Sequence, residues 1–145
     1  GRCIANIVNV KTRQVLRTLR TTVVDDDIAD LRVGNEVAVL APLYFHAGTA
    51  NFKAGSLARI AKMKTRVTNA GSVLVAGHTG NLMGNTPENR KLSSERAQAA
   101  VSAMKSRGIE GPFAVAAVGA LDPVNTGTSR ADQDKNRRVV VVLIP

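Results

Sequence analysis

From Glu36 onward, four short apolar runs alternate with two stretches whose apolar residues recur at helical spacing, and this alternation restricts the fold more than any other feature of the 145-residue chain. The runs are Val37–Phe45 (VAVLAPLYF), Ser72–Ala76 (SVLVA), Phe113–Val118 and Val139–Ile144 (VVVVLI). Their β-branched content and lack of polar alternation are the signature of strands covered on both sides. Pro42, which has no amide hydrogen to give a ladder, implies an edge or a bulge in the first run. Between the runs, Phe52–Val67 carries Leu57, Ile60, Ala61 and Val67 on one side and Lys53, Arg59, Lys62, Lys64 and Arg66 largely elsewhere, which predicts an amphipathic helix with a basic outer face.

The second helical stretch opens at Thr86-Pro87, an N-cap followed by a residue preorganised for the first turn. Leu92, Ala97, Ala100, Val101 and Met104 form its apolar stripe, and Gly108 is placed to end it in a left-handed conformation. Residues 119–136 read as a polar loop. The order is thus strand, helix, strand, helix, strand, loop, strand. Two amphipathic helices laid on one face of a mixed four-stranded sheet bury both stripes, an α+β two-layer sandwich.

Residues 1–35 stand apart as an N-terminal extension. Ile4–Val10 and Thr21–Val24 read as strands, Gln14–Arg20 as a short helix or strand, and Asp25–Asp27 as a solvated acidic turn. The domain proper is therefore expected over 36–145.

Twenty Lys and Arg oppose eleven Asp and Glu, a net charge of +9 that favours acidic partners. Nucleic acid is disfavoured, because the few aromatics do not interleave with basic residues as base-stacking platforms do. No apolar run approaches the roughly 20 residues of a membrane-spanning helix. Catalysis finds no footing. The glycine-rich loop Gly77-His78-Thr79-Gly80-Asn81-Leu82-Met83-Gly84 matches neither phosphate-cradling pattern, no nucleophile elbow exists, and Cys3, His46 and His78 lack metal-ligand spacing. Glu88 and Glu95 read as surface residues, and His78 as a structural hydrogen bonder. No cofactor is expected.

The segment Val75–Ala97 (VAGHTGNLMGNTPENRKLSSERA) resembles the core motif of OmpA-like peptidoglycan-binding domains, a family that includes peptidoglycan-associated lipoproteins and flagellar stator proteins of the MotB type. Tyr44-Phe45, Arg107-Gly108-Ile109, Val118-Gly119, Asp122-Pro123 and Asn136-Arg137-Arg138-Val139 fit the same pattern in order. The resemblance spans about 36–145 and implies a β-α-β-α-β-β fold, a non-catalytic role, and a place in the periplasm of a diderm bacterium beside the outer membrane. It also implies a ligand, the diaminopimelate of the peptidoglycan stem peptide, whose carboxylate pairs with an Arg and whose ammonium faces an Asp.

Arg96 matches the Arg, and its forked guanidinium suits a carboxylate. The Asp would follow Gly77-His78-Thr79, where this chain has Gly80. Losing such a charge-assisted hydrogen bond costs about 1.5–3 kcal/mol, so weakened or altered binding is expected. The loop is also longer than the family pattern, and Asn81 or Glu88 stands near the missing carboxylate. The resemblance makes Thr79, Gly80, Asn81, Asn89, Leu92, Arg96 and Arg137 the peptidoglycan-binding set. Each has a structural alternative: Arg96 as a cap on buried carbonyls, Asn89 as a loop organiser, Leu92 as core. Arg138 is expected as a solvated residue at a strand edge. Two functions follow: anchoring an envelope complex to peptidoglycan, or serving as a structural scaffold among the proteins of a secretion or motility machine after wall binding has been lost.

Overall fold

A computed structural model describes residues 30–33, 37–68, 70–121 and 123–144. The expected elements at 4–10, 14–20 and 21–24 and the acidic turn at 25–27 lie outside the described residues. Among the described residues, six strands and three helices follow in order: β1 (Asp30–Val33), β2 (Val37–Leu40), β3 (Leu43–Tyr44), α1 (Ser56–Thr68), β4 (Ser72–His78), α2 (Pro87–Ser106), β5 (Phe113–Gly119), α3 (Arg130–Asp134) and β6 (Arg138–Ile144). They form one mixed sheet in the order β1-β2-β6-β4-β5, with β3 also paired to β6. Only β4 and β5 run parallel, joined by the α2 crossover. The other pairings are antiparallel.

The strand expected over Val37–Phe45 is two strands. Ala41 and Pro42 interrupt it, both halves return to β6, and the Pro42 carbonyl accepts a 2.6 Å hydrogen bond from Arg59 Nη1. The sheet is also wider than four strands, because β1, within the extension, pairs with β2.

The first helix starts at Ser56, not Phe52. Phe52 is bridged to Phe45 instead, their rings 4.6 Å apart, and Ser56 Oγ accepts from the Tyr44 amide at 3.0 Å. The second helix matches its signals: Thr86 Oγ1 accepts from the Asn89 amide, Pro87 is the first helical residue, and Gly108 ends the helix at φ +79°. The loop at 119–136 contains α3, whose start is capped by Ser129 accepting from the Asp132 amide.

Alternation along the central strands divides the interior in two. Val73, Val75, Val139 and Val141 face Ile60, Met63 and Val67 of α1 and Ala97, Ala100, Val101 and Met104 of α2. Leu74, Ala76, Val140 and Val142 join Val39, Ala116 and Val118 in a second buried cluster on the opposite face, to which no described helix contributes. Burial on both faces explains why VVVVLI has no polar alternation. Arg138 corrects its expected solvated position. It is 4% exposed, paired with Tyr44 at the start of β6, with Nη1 directed to the Asn136 carbonyl.

Candidate functional site

The pairing registers gather several chain ends at one place. His78 ends β4 opposite Gly119, the end of β5, while antiparallel β6 begins at Arg138 opposite Tyr44. The turn at 46–51, the loop at 79–86 and the loop at 120–137 all leave from this end, and the N-terminus of α2 points into it. Helix and sheet are held very close there. A Cβ on Gly77 would stand 1.8 Å from the Ser93 carbonyl oxygen, so only glycine lets α2 approach β4 this closely. Ser93 Oγ accepts from the Gly119 amide at 3.0 Å and donates to the Arg90 carbonyl at 2.7 Å, fixing the helix to the end of β5.

That approach carries Arg96 into the interior, where its exposure is 0%. Its Nε donates to the Thr49 carbonyl at 2.8 Å, Nη1 to the His78 carbonyl at 2.9 Å and Nη2 to the His46 carbonyl at 3.2 Å. The guanidinium also lies over the Phe45 ring, 5.6 Å from its centroid. No carboxylate pairs with it among the described residues. Burial, and second the charge of Arg137, lower its pKa from the ordinary guanidinium range to about 10, which leaves it charged at neutral pH.

The loop beyond His78 is ordered by amides. The Thr79 amide donates to the Gly119 carbonyl, and Thr79 Oγ1 to the Gly80 carbonyl. Asn81 and Gln133 form a reciprocal pair: the Asn81 amide donates to Gln133 Oε1 at 2.8 Å, and Gln133 Nε2 to Asn81 Oδ1 at 2.6 Å. Asn136 Oδ1 accepts from the Val124 and Asn125 amides, while its Nδ2 donates to the Asn125 carbonyl and, at 3.4 Å, to Asn81 Oδ1. Asn89 Nδ2 holds the Gly84 carbonyl at 2.7 Å, and Asn85 Oδ1 accepts from the Ala120 amide at 3.2 Å.

Arg137 lies on the rim, its Nη1 bound to Asp134 Oδ1; Lys53 Nζ takes the other Asp134 oxygen at 3.1 Å. Partial burial works to raise the Asp134 pKa, but hydrogen bonds from Lys53 and Arg137 and their charges prevail and hold it below 3.8. A Cβ on Gly80 would stand 2.9 Å from Gln133 Oε1 and 3.7 and 3.8 Å from Nε and Nη2 of Arg137. Positive charge thus gathers at this end of the sheet: Arg96 is enclosed, and Arg137 and Lys53 on the rim are both held by Asp134. Leu82 and Met83 project from the tip of the first loop, Met83 at 80% exposure, and Leu121 and Val124 from the other.

Thr79, Gly80, Asn81 and Arg137 thus lie together at this end of the sheet, with Arg96 fully buried behind the 46–49 turn. Asn89 touches the loop and not this group, which is the organiser's role. Leu92 is half-buried on α2 and belongs to neither apolar cluster, and Glu88 lies exposed in the first turn of α2. Gln133 and Asn85 were not singled out from sequence. Both lie in or beside polar loops whose composition marks a loop without telling which amide reaches across it.

A mixed sheet carrying two helices, with polar loops gathered where strand ends meet a helix N-terminus, defines the class as an α+β two-layer domain. The OmpA family model matches residues 44–137, and the chain belongs to that family. Among solved structures, the cell wall anchor of the T6SS from Pseudomonas aeruginosa is 27% identical with a TM-score of 0.62, covering 88% of this chain and 94% of that one. The OmpA-like domain of FopA1 from Francisella tularensis is 24% identical (TM-score 0.57; 79% and 77% covered). The peptidoglycan-associated lipoprotein from Burkholderia pseudomallei is 21% identical (TM-score 0.58; 70% and 87% covered). No curated protein matches. No helix among the described residues is long and apolar enough to cross a membrane.

Proposed function

We propose that residues 36–145 form a non-catalytic module that associates with peptidoglycan through the crevice at the ends of β4, β5 and β6, and so anchors an envelope complex in the periplasm of a diderm bacterium, beside the outer membrane. The observation that carries this reading is the pair of guanidiniums: Arg96 is enclosed with carbonyls alone, and Arg137 is close enough to lower its pKa. A carboxylate of the stem peptide is the group that relieves both. Family membership and the name of the Pseudomonas aeruginosa cell wall anchor support the ligand. Access to Arg96 requires displacement of the 46–49 turn, whose residues 46–48 are exposed.

The second reading, a scaffold that has kept the fold without wall binding, is favoured by the same three carbonyls, which satisfy Arg96 with no ligand, and by the absence of a carboxylate at Gly80. Co-sedimentation with diaminopimelate-type sacculi at moderate salt separates the two, since a +9 chain adheres to anionic polymers at low salt. Wild type is expected in the pellet, with Arg137→Ala depleted from it and Gly80→Asp enriched. Wild type left in the supernatant, while the Pseudomonas aeruginosa anchor pellets, establishes the scaffold.

A further inference from the structure

We infer that the tips of the 79–86 and 120–137 loops form an apolar subsite for the methyl-bearing start of the stem peptide, the lactyl ether and L-alanine that join it to the glycan. This rests on the proposed peptidoglycan reading and goes beyond it to a further part of the ligand that the molecule touches. Of the five large apolar side chains exposed among the described residues, four stand on these loops: Leu82 at 56%, Met83 at 80%, Leu121 at 46% and Val124 at 36%. Their backbone is fixed. The Gly84 amide closes a turn on the Asn81 carbonyl at 3.1 Å, with Leu82 and Met83 at its two central positions. The Leu121 amide donates to the Val118 carbonyl at 3.3 Å, and the Val124 amide to Asn136 Oδ1 at 2.8 Å. The same network ties the loops together, Asn81 to Gln133 and Asn136, and Asn85 to the Ala120 amide. Ordered backbone therefore presents all four side chains to water beside one junction, and contiguous exposed apolar groups of this kind mark contact sites.

Four side chains fall short of the roughly 800 Å² per partner that a stable protein interface covers, which speaks against a second copy of the chain. Neither loop contains Phe, Tyr or Trp, whose flat faces would stack on a sugar ring, so methyl groups are what these tips match. Met83 is three residues from Gly80, so the two Cα atoms lie within about 11 Å of each other. Diaminopimelate and γ-D-glutamate, both linked through their side chains, span such a gap between the end of β4 and the first residue of the stem. The methyls that arrive there are those of the lactyl and alanyl groups.

The test is calorimetric titration of the whole chain with two synthetic probes: N-acetylmuramyl-L-alanyl-γ-D-glutamyl-diaminopimelate, and the same compound with both methyls removed, glycolyl replacing lactyl and glycine replacing L-alanine. Wild type is expected to bind the first about tenfold more tightly. In the double variant Leu82→Ser, Met83→Ser that ratio is expected to fall to about one, which separates lost contact from the added flexibility of glycine. A ratio near one in wild type, a ratio that survives the double variant, or a wild-type dimer in ultracentrifugation that the double variant dissolves overturns the inference and leaves peptidoglycan association standing. Binding of neither probe overturns the inference, and failure to pellet with sacculi in addition overturns the reading beneath it.

Discussion

Arg96 carries its charge into the interior at a cost that its partners only partly offset. Its folded pKa, lowered to about 10, means the folded chain binds that proton less tightly than the unfolded one. The charge therefore opposes folding at neutral pH, and the penalty is relieved only as pH rises above about 10. The three hydrogen bonds work the other way. Arg96→Ala takes the donor from the Thr49 and His78 carbonyls, leaves the His46 carbonyl with the Thr49 amide and hydroxyl, and opens a cavity, so urea denaturation should show a loss of about 2–4 kcal/mol; a loss below about 0.5 kcal/mol would show that the carbonyls find other donors. Asp134 has the opposite linkage. With its pKa held below 3.8, its contribution is present at neutral pH and disappears as pH falls through the depressed value. Its pair is partly exposed, so Asp134→Asn should cost about 0.5 kcal/mol at neutral pH and progressively less as pH falls through the acid range, read from paired urea midpoints. The sequence alone pointed to Arg96 as important, but not to its partners. Backbone carbonyls at residues 46, 49 and 78 have no side-chain signature, so its two possible roles were indistinguishable before the fold was known.

Among the elements, α2 was the most legible, because Thr86, Pro87 and Gly108 each act through local backbone chemistry that does not depend on the rest of the fold. Thr86→Ala should remove the bond to the Asn89 amide and lower stability by about 1 kcal/mol. Gly77→Ala is expected to cost more, about 3 kcal/mol, because the clash is with helix backbone that no rotamer change relieves. Thermal unfolding of the two variants side by side checks the ranking, and the reverse order would contradict the close packing of α2 on β4. Elsewhere local signals competed with tertiary ones. Phe52 fits the helical pattern of α1, yet its stacking on Phe45 holds it outside the helix. Pro42 announced an interruption, but not that both halves would pair with the same strand. The five residues of α3 are too few to show periodicity. Arg138 looked solvated because charge was the only cue; the pairing with β3 that buries it is non-local.

At the scale of the molecule, a net charge of +9 gives attraction to an anionic wall polymer with no need for a shaped site, whereas the crevice gives recognition that a surface field does not. Salt separates the two. Raising ionic strength from about 0.05 to 0.5 M should strip most of the nonspecific adherence to sacculi, leaving a salt-resistant fraction that depends on Arg137. The decisive measurement is a two-dimensional NMR titration of the isotope-labelled chain with the synthetic stem tripeptide L-alanyl-γ-D-glutamyl-diaminopimelate. The account predicts that the largest amide shifts fall on Thr79, Gly80, Asn81 and Arg137, with the side-chain Nε of Arg96 moving in step. Shifts confined to the basic outer face of α1, around Lys62, with the crevice unmoved, would contradict it.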